Sequence, residues 1–171
     1  MDFLSRDGSP ISADLWKDID DAVVSTAKQI LTGRRFISIY GPLGAGIQSI
    51  QVDNLCELEE TEGCVSVIKG RTYCQIPLLN QDFSLLWRDL EFSEQMGLPV
   101  DLSPVVQAAS QAALKEDEFI FYGNDELGCK GLVTDEGVTR FPLSDWSEGE
   151  NPFGGISAGL ASFLEKGIVG R

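Results

Sequence analysis

From Ser12 to Leu31 the apolar residues Trp16, Ile19, Val23, Ala27 and Ile30 recur at three- and four-residue spacing, which predicts an amphipathic helix. Ser12 is placed to cap its N-terminus, Asp14 sits in the first turn, and Gly33 is placed to end it in a left-handed conformation. A short β-prone run then follows, Phe36, Ile37, Ile39 and Tyr40, before the turn-rich stretch built on Gly41, Pro42, Gly44 and Gly46. The polar-interleaved IQSIQV at 47–52 and the run CVSVIKGRTYCQIPLL at 64–79 predict a long two-stranded excursion. Its tip is acidic, with Glu57, Glu59, Glu60 and Glu62 read as a solvated loop. Isolated hairpins are marginal in water, so an excursion of this length calls for a packing surface on another chain.

A second long helix is predicted from Ser103 to Tyr122, with Ser103 as N-cap and Pro104 at the first helical position. Its alanines at 108, 109, 112 and 113 permit close packing, and Gly123-Asn124 provides the stop. The stretch GCKGLVTDEGVTRFPL reads as a turn and short strands. A further helix is expected from about Gly155 to Lys166, and the final GIVGR reads as the approach to another strand.

At 171 residues, 43% hydrophobic and 23% charged, the composition is that of an ordinary globular domain, and no apolar run has the length that crosses a bilayer. The net charge of -14 argues against a duplex nucleic-acid binder, which gains affinity by neutralising phosphates. No signal-peptide pattern opens the chain, so a cytoplasmic location is expected.

Cys56, Cys64, Cys74 and Cys129 match neither a zinc knuckle nor a CxxC motif. They are expected to be reduced and packed or strand-borne, with intersubunit disulfides as the alternative. Histidine is absent, and no serine sits in a nucleophile elbow, so neither catalytic nor metal-ligating residues are assigned. The cluster GPLGAG lacks the P-loop lysine and reads as a turn. Glu116, Asp117 and Glu118 are consecutive and do not share a helical face, which favours a solvated or interface-facing surface over paired catalytic carboxylates. Trp87, beside Arg88 and Asp89, is expected to pack in a core or interface; its alternative role is to stack a planar ligand such as a flavin.

The segments MDFLSRDGSPIS with the tryptophan helix, GRRFISIYGPLGAG, QIPLLNQDFSLLWRDLE and DLSPVVQAASQAALKEDEFIFYGNDELGCKGL occur in an order that resembles the encapsulin shell-protein family, once labelled linocin-type bacteriocins. The resemblance implies an α+β fold of the tailed-phage major capsid (Hong Kong 97) type. It assigns residues 1–40 to an N-terminal arm and helix, 41–80 to an extended loop, 81–133 to a peripheral domain with its spine helix, and 134–171 to the beginning of an axial domain. It implies a non-enzymatic, homo-oligomeric icosahedral shell. The expected cargo carries a targeting peptide and is a ferritin-like protein or a dye-decolourising peroxidase.

The family's peptide groove maps onto Arg34, Ile37 and Ser38, where Ser38 replaces a frequent aspartate and weakens any charge-assisted contact. Relatives are longer, which raises the expectation of a complementary C-terminal fragment supplied by a second chain. A bacteriocin or protease, as in the older label, and a phage or prophage capsid protein are the competing readings.

Overall fold

The computed structural model describes residues 5–6, 8–52, 58–61, 65–68, 72–142, 145–147, 149 and 151–167. These form two compact units, Met1–Asp135 and Glu136–Arg171. Helices and short antiparallel strand pairs make up the first, which is the mixed α+β composition expected.

Helix α1 spans Ala13–Ile30, and its N-terminus is closed as the sequence requires: the Ser12 hydroxyl accepts a hydrogen bond from the Leu15 N–H. Its C-terminus departs from expectation. Leu31 is the C-cap, and Gly33, with no left-handed conformation, opens a 3-10 turn over Gly33–Arg35. Residues 36–40 form no strand. β-propensity expresses itself only where a partner ladder exists, and no described residue pairs with this run.

The excursion is two nested antiparallel pairs. Strand β1 (Ser49–Val52) pairs with β4 (Thr72–Gln75), Ile50 opposite Cys74, and β2 (Leu58–Thr61) pairs with β3 (Val65–Ile68). Leu58–Thr61, part of the acidic segment expected to be a loop, is thus a strand. Glu57, Glu62, Cys56 and Cys64 lie outside the described residues, as does the expected terminal strand approach at 168–171.

Helix α2 (Trp87–Met96) was not anticipated from the sequence; it ends at Gly97 in the left-handed conformation (φ 64°), and the buried Ser93 hydroxyl donates to the Leu98 carbonyl beyond it. Helix α3 (Ser103–Tyr122) packs on α1. Leu102 is its N-cap, so Ser103 and Pro104 stand one position further into the helix than expected. The capping acceptor is instead Asp101, whose carboxylate takes both the Ser103 N–H (2.9 Å) and its hydroxyl. Those hydrogen bonds, the hydroxyl's first, hold the Asp101 carboxyl below its usual range.

The buried residues of this unit include a stripe on α3, Val105, Ala108, Ala109 and Ala113, and Ile19 of α1, the helix that α3 packs on. Val105 is fully buried, and the alanines let the two helix backbones approach. After Gly123 the chain forms the two-residue pair β5 (Gly123–Asn124) and β6 (Cys129–Lys130) and folds back along the end of α3. Leu132 and Val133 N–H groups donate to the Ile120 and Phe121 carbonyls, which the helix end would otherwise leave unsatisfied.

In the second unit helix α4 runs Asn151–Glu165, starting four residues before the expected boundary, and none of its residues is buried. No described helix is long and apolar enough to cross a membrane.

Candidate functional site

Where α1 ends, the chain must turn sharply against α3, and three interactions fix that junction. Asp117 of α3 accepts the Thr32 N–H at 2.7 Å and the Gly33 N–H at 3.0 Å, one on each carboxylate oxygen. Partial burial pushes the Asp117 carboxyl up, but those hydrogen bonds and the nearby Arg35 outweigh it and leave it below the usual range. Space at Gly33 is tight: a Cβ there would lie 2.9 Å from Ile120 Cδ1 and 3.3 Å from the Asp117 carboxylate, so those side chains would have to shift.

Beside this, Arg34 and Glu116 form a two-pronged ion pair, Nε to Oε1 at 2.5 Å and Nη2 to Oε2 at 2.9 Å. The hydrogen bond to Glu116 raises the Arg34 pKa further above its already high value. Arg35 donates to the Gln29 carbonyl of α1, and the Phe36 ring meets Phe121 at 6.0 Å between centroids. The acidic run at 116–118 is therefore only partly solvated. Glu116 and Asp117 face the α1 junction, whereas Glu118 pairs with Lys115.

Among the sequence-derived candidates, Arg34 and Ser38 are exposed at this junction and Ile37 is half-buried, its N–H donating to the Gly33 carbonyl. The three residues are consecutive with the turn but line none of the described cavities. Trp87 opens α2 with its indole 70% exposed and the Arg88 guanidinium 5.9 Å from the ring centroid; it also lines none of these cavities.

A groove of about 450 Å³ does lie at the other end of α1, between Pro10, Ile11 and Leu15 on one wall and Leu90, Glu94 and Leu98 on the other. Sequence reasoning missed it because α2, which forms that second wall, was not read as a helix. The segment leading into α1 is strapped down beside it. Arg6 forms a two-pronged pair with Asp20 (2.8 and 2.9 Å) and stacks over the Trp16 ring at 4.2 Å. A second cavity of about 430 Å³ lies between α2 and the chain leading into α3, lined by Leu86, Leu90, Phe92, Pro99 and Pro104. Among the described residues no group of three His, Cys, Asp or Glu side chains is placed to hold a metal ion.

The remaining surface feature is the excursion. Among the described residues its strands pair with each other, and it exposes Tyr40 (84%), Leu78 (88%), Ile39 and Ile47 on its flanks and Tyr73 on β4. These large apolar groups stand on both approaches to a narrow two-stranded ribbon, which has no interior of its own in which to bury them.

The whole chain, residues 1–171, matches a family model described as an encapsulating protein for peroxidase. It is 34% identical over 177 residues to the type 1 encapsulin shell protein EncA of Myxococcus xanthus, covering 99% of this chain and 62% of that protein. It is 36% identical over 168 residues to a diheme-cytochrome-encapsulin shell fusion protein of Kuenenia stuttgartiensis, covering 94% of this chain and 46% of the relative. A type 1 encapsulin shell protein of Rhodospirillum rubrum is 31% identical over 137 residues, 77% of this chain and 49% of the relative. The chain thus spans roughly half to three fifths of the length of these relatives.

Proposed function

The chain belongs to the family of encapsulin shell proteins, and from that membership we propose that it is a structural component of a closed icosahedral cage with the tailed-phage capsid fold. The cage stands in the cytoplasm and encloses cargo proteins. The supporting observation is the apolar, self-paired excursion, whose flanking residues Tyr40 and Leu78 are almost fully exposed. Laid across a neighbouring subunit, the ribbon gains the surface it lacks, and repeated around symmetry axes such an exchange closes a shell. In this reading α1 lines the interior, α3 is the spine of the peripheral domain, and residues 134–171 begin the axial domain.

Cargo enters through a short targeting peptide. Arg34, Ile37 and Ser38 are the proposed contacts: the guanidinium offers donors to a carbonyl or carboxylate, and Ile37 an apolar edge. The open groove between Ile11, Leu15, Leu90 and Leu98 offers a second surface, part apolar and part polar, for a peptide anchor. The family description names a peroxidase, and one relative is fused to a diheme cytochrome, which favours a redox protein as cargo. A flavin stacked on Trp87 is a subsidiary proposal, supported by the exposure of its ring, and needs a neighbouring subunit to cover the other face.

Electron microscopy of the chain co-expressed with the proposed complementary C-terminal fragment, which its longer relatives carry in one chain, tests the shell reading. Closed particles of uniform diameter are expected, and the double substitution Tyr40→Asp with Leu78→Asp abolishes them. Because both side chains are exposed, each of these substitutions changes subunit stability by no more than about 0.5 kcal/mol. Unchanged particles in the double variant contradict the role given to the excursion, and a monodisperse wild-type monomer contradicts the shell.

A further inference from the structure

The cysteines carry a feature that shell assembly does not use. Cys74, on β4, and Cys129, on β6, are separated by 54 intervening residues, yet their sulfurs stand 3.2 Å apart. Cys129 is buried and Cys74 is partly exposed. The Cys129 sulfur also lies 3.6 Å from the Leu127 carbonyl and 3.8 Å from that of Gln75, and the Cys74 sulfur lies 3.7 Å from the Gln75 carbonyl. β6 is held in this position by its pairing with β5 and by the close backbone contact of Gly131 with Gly123, so the buried thiol cannot easily withdraw.

We propose that Cys74 and Cys129 are a peroxide-responsive thiol pair that closes to an intrachain disulfide and fixes the returning arm of the excursion to the turn after α3. The inference is independent of the cargo and of the shell's closure. A disulfide needs its sulfurs at about 2 Å, so they must approach by roughly 1 Å, within the reach of a side-chain rotation at the partly exposed Cys74.

The step balances with a hydroperoxide as oxidant. The Cys74 thiolate attacks one peroxide oxygen and breaks the O–O bond, giving a sulfenic acid and, after proton transfer, one water or alcohol. The Cys129 sulfur then attacks the sulfenic sulfur, forming the S–S bond and releasing the sulfenic oxygen as a second water. Two thiols are oxidised by two electrons, and one peroxide is reduced. The order of events follows from exposure, because the oxidant reaches Cys74 and the buried partner resolves it. The Cys129 thiol is pushed up, first by its hydrogen bond to Cys74 and then by burial, which fits the resolving role better than the attacking one. Thiol reductants reverse the bond by exchange.

Peptide mapping of the full chain, reduced, freed of reductant and treated under native conditions with hydrogen peroxide, decides the matter. Trypsin separates the cysteines into peptides 72–88, 116–130 and 36–69, the last holding both Cys56 and Cys64. The expected result is a fall from four free thiols to two and a species joining 72–88 to 116–130, lost on adding dithiothreitol. Cys74→Ser abolishes the species and keeps the buried thiol in place, so the result does not depend on a Cys129 variant folding. The Cys56→Ser and Cys64→Ser double variant still forms it. Three results overturn the proposal: a cross-link to peptide 36–69, sulfinic or sulfonic acid at Cys74 without a cross-link, or hybrid cross-links when isotopically labelled and unlabelled chains are mixed.

Discussion

The α1–α3 junction and the strand excursion are built on opposite terms. At the junction the elements have their partners within the chain: Asp117 closes the N–H groups of Thr32 and Gly33, Glu116 holds Arg34, and α3, with Val105 fully buried, packs on α1. Among the described residues the excursion's strands pair with each other and its returning arm meets the body at Cys74–Cys129, while Tyr40 and Leu78 stand in water. A chain that spends its polar and apolar contacts so unevenly has a body that folds from within and an arm whose surface suits another molecule. Substitutions in the body therefore act on subunit stability, and substitutions in the arm on assembly.

The sharpest way to break the body is at the end of α3. A Cβ on Gly131 would lie 2.4 Å from the Gly123 nitrogen and 2.5 Å from the Phe121 carbonyl carbon, both backbone atoms that cannot rotate away. Gly131→Ala is expected to cost about 3 kcal/mol or more, read as a fall in the denaturation midpoint. The Leu132 and Val133 hydrogen bonds that close α3 go with it. A change below about 1 kcal/mol would show that the turn after α3 adjusts freely and that the division between body and arm is misplaced.

Asp117→Ala comes next. It leaves the Thr32 and Gly33 N–H groups without their acceptor, at an expected cost of about 1–3 kcal/mol in thermal or urea unfolding. The carboxyl sits below its usual range when folded, so its contribution is complete above the unfolded value, near pH 4, and fades as pH falls through the lower folded value. The wild type should therefore lose more stability than the alanine variant on acidification below about pH 4, and the two should run parallel above about pH 5.

What the sequence made legible follows the same division between local and distant causes. Helix α1 and its Ser12 cap, α3 and its Gly123 stop, and the pairing of the two arms of the excursion rest on periodicity and on residues a few positions apart. The junction could not be read that way. Asp117 meets Gly33 across 84 positions, and Gly33 signals a helix end locally while in the fold it is the residue that sits tight against the Ile120 side chain.

Helix α2 was missed because charges interrupt its apolar stripe and no side chain caps its start, though Gly97 marked its end. The run at 36–40 was misread because its β-branched and aromatic residues describe a surface that fits a sheet without supplying a neighbour. The thiol pair needed the register of β4 and the turn after α3 together.

The smallest expected effect separates the junction's structural role from its proposed binding role. The Arg34–Glu116 pair is half-exposed on the arginine side, so its loss in Arg34→Ala should cost only about 0.5 kcal/mol of stability, shrinking with salt. If Arg34 also contacts a cargo peptide, titration calorimetry with that peptide should show a clearly larger loss, about tenfold in affinity for a charge-assisted hydrogen bond. Glu116→Gln supplies the control. It removes the same ion pair and frees the guanidinium, so it costs similar stability while keeping or strengthening peptide binding. Parallel losses in both variants would assign Arg34 to the body alone and move the peptide contact to the groove between α1 and α2.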